Sequence, residues 1–169
     1  MKTFLLSALL LLFAGFGSLL HAQQADARTT KTEIIEASAD DVWEVVRDLD
    51  HIAELSKFIA RVEYAGANDV GGERTCYAPD GQGSYTESII GFDDAGRTYT
   101  YAVKEGVPVA GMVNSFKIVD LGYRKSMLVW TSTYDEFMEN PQMTEEQFAG
   151  FIDAAITDMV ANISAKARA

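Results

Sequence analysis

The sequence predicts an α+β fold: a curved antiparallel sheet of about seven strands wrapped around a long C-terminal helix, with a short helical pair after the first strand. Three observations predict it. A lone strand pattern at 30–37 runs into two short helical segments. Alternating apolar and polar residues then recur in six segments between 59 and 135. A single apolar stripe at helical spacing occupies 144–167. A sheet followed by one long helix can enclose a space between them, so the chain is expected to hold a small apolar molecule.

The first 22 residues stand apart from this pattern. Lys2 is followed by an uncharged apolar run from Phe4 to Leu20, and Leu20-His21-Ala22 offers a small residue at a cleavage point, with Ala25-Asp26-Ala27 a second candidate. This is the order of a secretory signal peptide, and the run, interrupted by Gly15 and Gly17, is short for a membrane span. Residues 1–22 are therefore expected to be removed, residues 23–30 (QQADARTT) to be flexible, and 31–169 to form the ligand-binding domain. The mature protein is then periplasmic or secreted and keeps no stable membrane anchor.

Within the domain, Ser38 is placed to cap a helix, with Asp40 and Asp41 in its first turn. Val42, Val45, Val46 and Leu49 share one helical face, and Asp50 is placed to cap a second short helix reaching about Lys57. Strands are expected at 59–66, 72–78, 84–92, 97–105, 111–121 and 124–135. Asp80-Gly81 marks a two-residue turn between the second and third of these, because Gly accepts positive φ cheaply. Thr144 and Gln147 form a capping box at the start of the last helix. Its stripe is Phe148, Phe151, Ile152, Ala155, Ile156, Met159, Val160 and Ile163. Mostly this stripe reads as core, although its N-terminal half can line a cavity.

Composition excludes several functions. The net charge of −11 disfavours nucleic acid and anionic membrane surfaces. After cleavage one His, His51, and one Cys, Cys76, remain, so no internal disulfide and no Cys/His zinc site can form. There is no matched nucleophile and base, no metal-ligand spacing and no glycine-rich phosphate loop. Accordingly no catalytic residue, metal or cofactor is assigned.

Several motifs occur in a fixed order. Residues 31–46 (KTEIIEASADDVWEVV) give a strand, a turn and a "VWxxV" helix. Gly72-Glu73-Arg74-Thr75, Asp80-Gly81 and Glu87-Ser88-Ile89 follow, then Arg97-Thr98-Tyr99-Thr100-Tyr101 and Glu105-Gly106-Val107-Pro108-Val109, and last the strand from Leu128 to Tyr134. The ordered set, over about 31–165, resembles the START-like, Bet v 1-type superfamily, in its bacterial polyketide cyclase/dehydrase-like (SRPBCC) branch. That resemblance implies a helix-grip fold with a pocket for lipids, hormones or aromatic polyketides. Only some such proteins are enzymes. One departure bears on the cavity entrance: Leu55-Ser56-Lys57-Phe58 stands where many relatives carry Trp-x-Pro.

The Asp80-Gly81 turn fixes a register in which Arg74 faces Glu87 and Cys76 faces Tyr85, all on the concave side with Ile89. Two readings follow for the Arg–Glu pair: an ordinary structural pair, or an anchor for a ligand carbonyl, hydroxyl or carboxylate. Arg74 should also hold the Glu87 carboxyl low, which makes it a poor proton-transfer group. Tyr85, Tyr99 and Tyr101 are strand formers that also suit an oxygenated aromatic ligand. Asn114 is a second polar handle beside Phe116. Trp130 is ambiguous, since a turn at Leu121-Gly122 would turn Met127 and Val129 inward instead. Phe151, Ala155 and Met159 of the last helix complete the expected lining. The predicted function is an exported carrier of a small lipophilic or aromatic molecule; a cyclase- or dehydrase-like enzyme and a module with a filled core are the alternatives.

Overall fold

The structure, a computed structural model, describes residues 29–169. The expected signal peptide lies outside the described residues. Strand β1 (Thr29–Ile35) leads into helix α1 (Ala39–Val46). It begins at Thr29, so the last two residues of the segment expected to be loose belong to the sheet. A 3₁₀ turn (His51–Leu55) and strands β2 (Arg61–Ala65), β3 (Glu73–Tyr77), β4 (Ser84–Asp93) and β5 (Thr98–Glu105) come next. The chain continues through β6 (Val109–Ala110), β7 (Val113–Gly122), β8 (Lys125–Thr133), β9 (Glu136–Phe137) and α2 (Glu145–Ala167).

Seven strands form one antiparallel sheet in the order β1-β8-β7-β5-β4-β3-β2. The first strand closes on the last, so the connection carrying α1 lies across one end of the concave face. Bulges in the β4–β5 and β7–β8 ladders curl the sheet around α2. Two short strands, β6 and β9, pair separately. Two-residue strands have no period to read, so neither was expected.

Local signals account for the helix starts. Ser38 accepts from the Asp41 amide at 3.1 Å, as expected of a cap. The capping box is complete: Gln147 N–H donates to Thr144 Oγ1 at 3.2 Å, and Thr144 N–H to Gln147 Oε1 at 2.8 Å. Asp50 does not cap the second helix with its side chain, and that segment is a five-residue 3₁₀ turn rather than an α-helix reaching Lys57.

Two turns set which side chains face inward. Around Asp80-Gly81 the expected register holds, with Arg74 opposite Glu87 and Cys76 opposite Tyr85. The turn itself is longer than predicted. Ala78 and Gly83 close the loop through Ala78 N–H to Gly83 O at 2.9 Å, and Gly81 takes φ +70° inside it. Both loops are centred between Asp80 and Gly81, so lengthening the turn leaves the register unchanged. Between β7 and β8 the turn is not Leu121-Gly122 but Tyr123-Arg124, both at positive φ as in a type I′ turn. A bulge at Leu121 then shifts the ladder by one, Phe116 faces Trp130, and Trp130 points inward.

The core divides into two parts. Val42, Trp43, Val46, Tyr99, Phe116 and Leu128 pack with Ile156, Val160 and Ile163 of α2. A smaller cluster of Val109, Met112, Tyr134 and Phe148 sits at the other end. Trp43 Nε1 donates to Asp94 Oδ1 at 2.8 Å, fastening α1 to the β4–β5 turn.

Candidate functional site: a cavity between the sheet and α2

Between these clusters lies a cavity of about 270 Å³. Its floor is the concave face of β4, β5, β7 and β8, and its roof is the N-terminal half of α2. Val103, Met112, Ile152, Ile156 and Met159 give it a mostly apolar wall. Phe58 and Phe151 meet edge to face at its mouth, with ring centroids 5.5 Å apart. Phe58 is held there because Lys57 N–H donates to Asp158 Oδ2 on α2 at 3.0 Å, and Asn162 Nδ2 donates to Leu55 O at 3.0 Å. The segment that departs from the Trp-x-Pro pattern thus forms one lip of the entrance. Gly106 forms another. At φ +90°, with Ser84 O only 2.2 Å from where a Cβ would stand, only glycine fits there.

Eight of the eleven residues singled out in the sequence line this space: Tyr85, Glu87, Tyr101, Asn114, Trp130, Phe151, Ala155 and Met159. Three do not. Tyr99 and Phe116 stack on each other at 5.1 Å, and Trp43 stands 6.3 Å from Tyr99. They belong to the filled end, because α1 crosses the sheet there and its indole occupies the space a ligand would need. Arg74 is the third, buried behind Glu87 and not exposed to the cavity. The sequence did not single out Phe148, Ile152 and Ile156 as lining residues, although its helical stripe contained them. Phe58, Met143 and Pro108 come from loops, where no periodicity marks a facing side chain.

Arg74 Nε donates to Glu87 Oε2, and its Nη1 donates to Leu49 O at 3.1 Å. The guanidinium also lies 4.8 Å from the Tyr101 ring centroid. Burial is the largest single influence and works against the Arg74 charge, but Glu87, together with Tyr99, Tyr101 and Cys76, outweighs it and holds the guanidinium firmly charged. For Glu87 the balance falls the other way. Burial pushes its carboxyl up, Arg74 pulls it back, and the net lies above the ordinary carboxylate range. This corrects the expectation that Arg74 would hold it low. Burial likewise raises the Tyr85 and Tyr101 hydroxyls, and takes the Cys76 thiol up to about 12, so Cys76 is no nucleophile. Among the described residues the Asn114 side-chain amide and the Tyr101 hydroxyl make no hydrogen bond, and Trp130 Nε1 is buried without an acceptor.

The family described as "Polyketide cyclase / dehydrase and lipid transport" matches residues 26–167, nearly the whole chain. The chain belongs to this family. Solved structures share the fold at low identity. An uncharacterized protein from Bacillus thuringiensis superposes with TM-score 0.70 at 17% identity, covering 83% of this chain and 98% of that one. ZhuI aromatase/cyclase from a Streptomyces species gives 0.67 at 18%, covering 83% and 92%. Norcoclaurine synthase from Thalictrum flavum, solved with dopamine and hydroxybenzaldehyde, gives 0.61 at 20%, covering 80% and 83%. No curated protein matches the sequence. The helix-grip fold predicted from the motif order is the one observed.

Proposed function

We propose that this chain is an exported carrier for a small lipophilic or aromatic molecule, held between the sheet and α2. The cavity carries this reading. A domain of this size ordinarily fills its interior, and here about 270 Å³ is left open under an apolar roof. Membership of a family that includes lipid transport supports it, as does a fold neighbour solved with aromatic ligands. Export rests on the N-terminal sequence pattern, with maturation at or near Gln23. Native mass spectrometry of protein taken from the exported fraction tests both parts. The expected result is a chain beginning near residue 23 with a co-purifying small molecule. An intact Met1 in a membrane fraction overturns export, and a chain that takes up no apolar probe overturns the carrier.

One observation favours a second reading, a cyclase- or dehydrase-like enzyme. Glu87 faces the cavity with its carboxyl raised, which suits a group that gives or takes a proton. Turnover of an aromatic polyketide by the parent chain, lost in Glu87→Gln, would favour the enzyme over the carrier.

A further inference from the structure

The polar groups of the cavity are unevenly placed. Ser56 and Ser84 lie toward the entrance loops, and the rest lie on the floor: Tyr85 and Glu87 on β4, Tyr101 on β5, Asn114 on β7 and the unpaired Trp130 indole on β8, with Tyr101 directly opposite Asn114. Arg74 occupies one oxygen of Glu87 from behind, and Oε1 carries no hydrogen bond among the described residues. The Asn114 side-chain amide is also unpaired, in a residue only 3% exposed. Buried polar groups left open in this way cost stability unless a ligand or water completes them. A ligand entering past Phe58 and Phe151 therefore meets an apolar body first and a polar floor last.

The sign of that floor is decided by what is missing from the wall. Among the residues lining the cavity there is no Lys, Arg or His. Arg74 donates through Nε to Glu87 and through Nη1 to Leu49, and although its Nη2 is left without a partner, it lies behind the floor and does not line the space. An incoming carboxylate would lose its hydration, face the Glu87 carboxyl and find no cation. A hydroxyl meets complementary partners: it can donate to Glu87 Oε1 and accept from the Asn114 amide. The small volume adds a second limit. At about 270 Å³ the cavity falls just below the range of roughly 300–1,000 Å³ that holds drug-sized ligands, which suits one or two rings rather than an extended acyl chain.

We propose, on the reading that this cavity is a binding site, that it selects a compact uncharged molecule whose buried end is a hydroxyl donating to Glu87, and that it rejects carboxylic acids of the same shape. The anchor is thus Glu87 with Asn114, and Arg74 holds Glu87 in place.

Calorimetric titration of the parent chain with naphthalene, 2-naphthol and 2-naphthoate at neutral pH tests this. The expected order is 2-naphthol tightest, naphthalene at least tenfold weaker, and 2-naphthoate weakest. Glu87→Gln should bring 2-naphthoate at least tenfold closer to 2-naphthol, and Asn114→Leu should weaken 2-naphthol relative to naphthalene. If 2-naphthoate binds as well as or better than 2-naphthol, the proposed selectivity is wrong and the cavity still stands as a binding site. If naphthalene binds and 2-naphthol does not, the hydroxyl anchor is wrong in the same limited way. If none of the three binds, the carrier reading fails and this inference falls with it.

Discussion

The C-terminal half of α2 and its N-terminal half carry the same kind of apolar stripe and meet opposite surroundings. Val160 and Ile163 are buried against α1 and the filled end of the sheet, and Ile156 and Met159 stand at the border, packed in the core on one side and lining the cavity on the other. From Phe148 to Ala155 the stripe roofs the cavity, and Phe151 is 44% exposed at the mouth. The difference comes from what lies opposite. Under the C-terminal half, α1 delivers Val42, Trp43 and Val46 into the concave face. Among the described residues no second α-helix reaches under the N-terminal half, and the floor there carries Glu87, Tyr101 and Asn114. An apolar stripe shows which face of a helix turns inward; whether that face is filled depends on an element elsewhere in the chain.

Arg74 and Glu87 stand at the border between the two ends, and the largest effect is expected there. Arg74→Met should cost about 3–5 kcal/mol at neutral pH, because it leaves Glu87 buried without its counter-ion. The loss should depend on pH with a definite sign. Burial already raises the Glu87 carboxyl, and without Arg74 it rises further. A raised carboxyl binds its proton more tightly in the folded state, so its contribution is fully present below the ordinary carboxylate value of about 4.3 and is lost as pH rises through the raised value. Urea denaturation of parent and variant between pH 4 and pH 8 should show the gap widening toward neutral. A gap that is constant, or wider in acid, would mean that Glu87 is not buried as described.

A second pair of substitutions compares the two halves of α2 directly. Ile163 is fully buried among packed neighbours, so Ile163→Ala should cost about 2–5 kcal/mol by transfer and cavity formation. Phe151 has lost much less surface, and its principal ring contact is Phe58. Phe151→Ala should therefore cost about 1 kcal/mol or less, the scale of one aromatic pair. Equal losses at the two positions would erase the distinction between a packed end and a hollow one.

Much of this was legible in the sequence where the signal was local. Ser38, the Thr144–Gln147 box and the Arg74–Glu87 register each follow from residues within about a dozen positions of one another. The inward face of Trp130 was not legible, because a type I′ turn on Tyr123-Arg124 and a bulge at Leu121 set it together, and neither residue type advertises positive φ. Nor was the filled end. Tyr99 and Phe116 alternate inward just as Tyr101 and Asn114 do, and only the arrival of Trp43 from α1 separates them. Alternation reports the face of a strand. The partner across the interior is a long-range fact, and so was the exclusion of Arg74 from the cavity it helps to build.

The smallest change in stability, and the most direct test of the hollow end, is expected at Ala155. It is half-buried, it lines the cavity, and it is the small residue between Phe151 and Met159 on the roof. A phenyl ring added there has open space to enter. Ala155→Phe should therefore hold the melting temperature near that of the parent or raise it, since the ring buries apolar area without displacing packed neighbours. Uptake of naphthalene should fall by at least tenfold, because the ring takes the ligand's place. In a packed interior the same ring would force side chains off their rotamers and cost roughly 1–3 kcal/mol. Thermal denaturation and probe titration on one preparation separate the two outcomes. Stability retained with uptake lost places the ligand under the N-terminal half of α2. Stability lost by that amount, with no uptake in the parent to lose, would make both halves of the helix core.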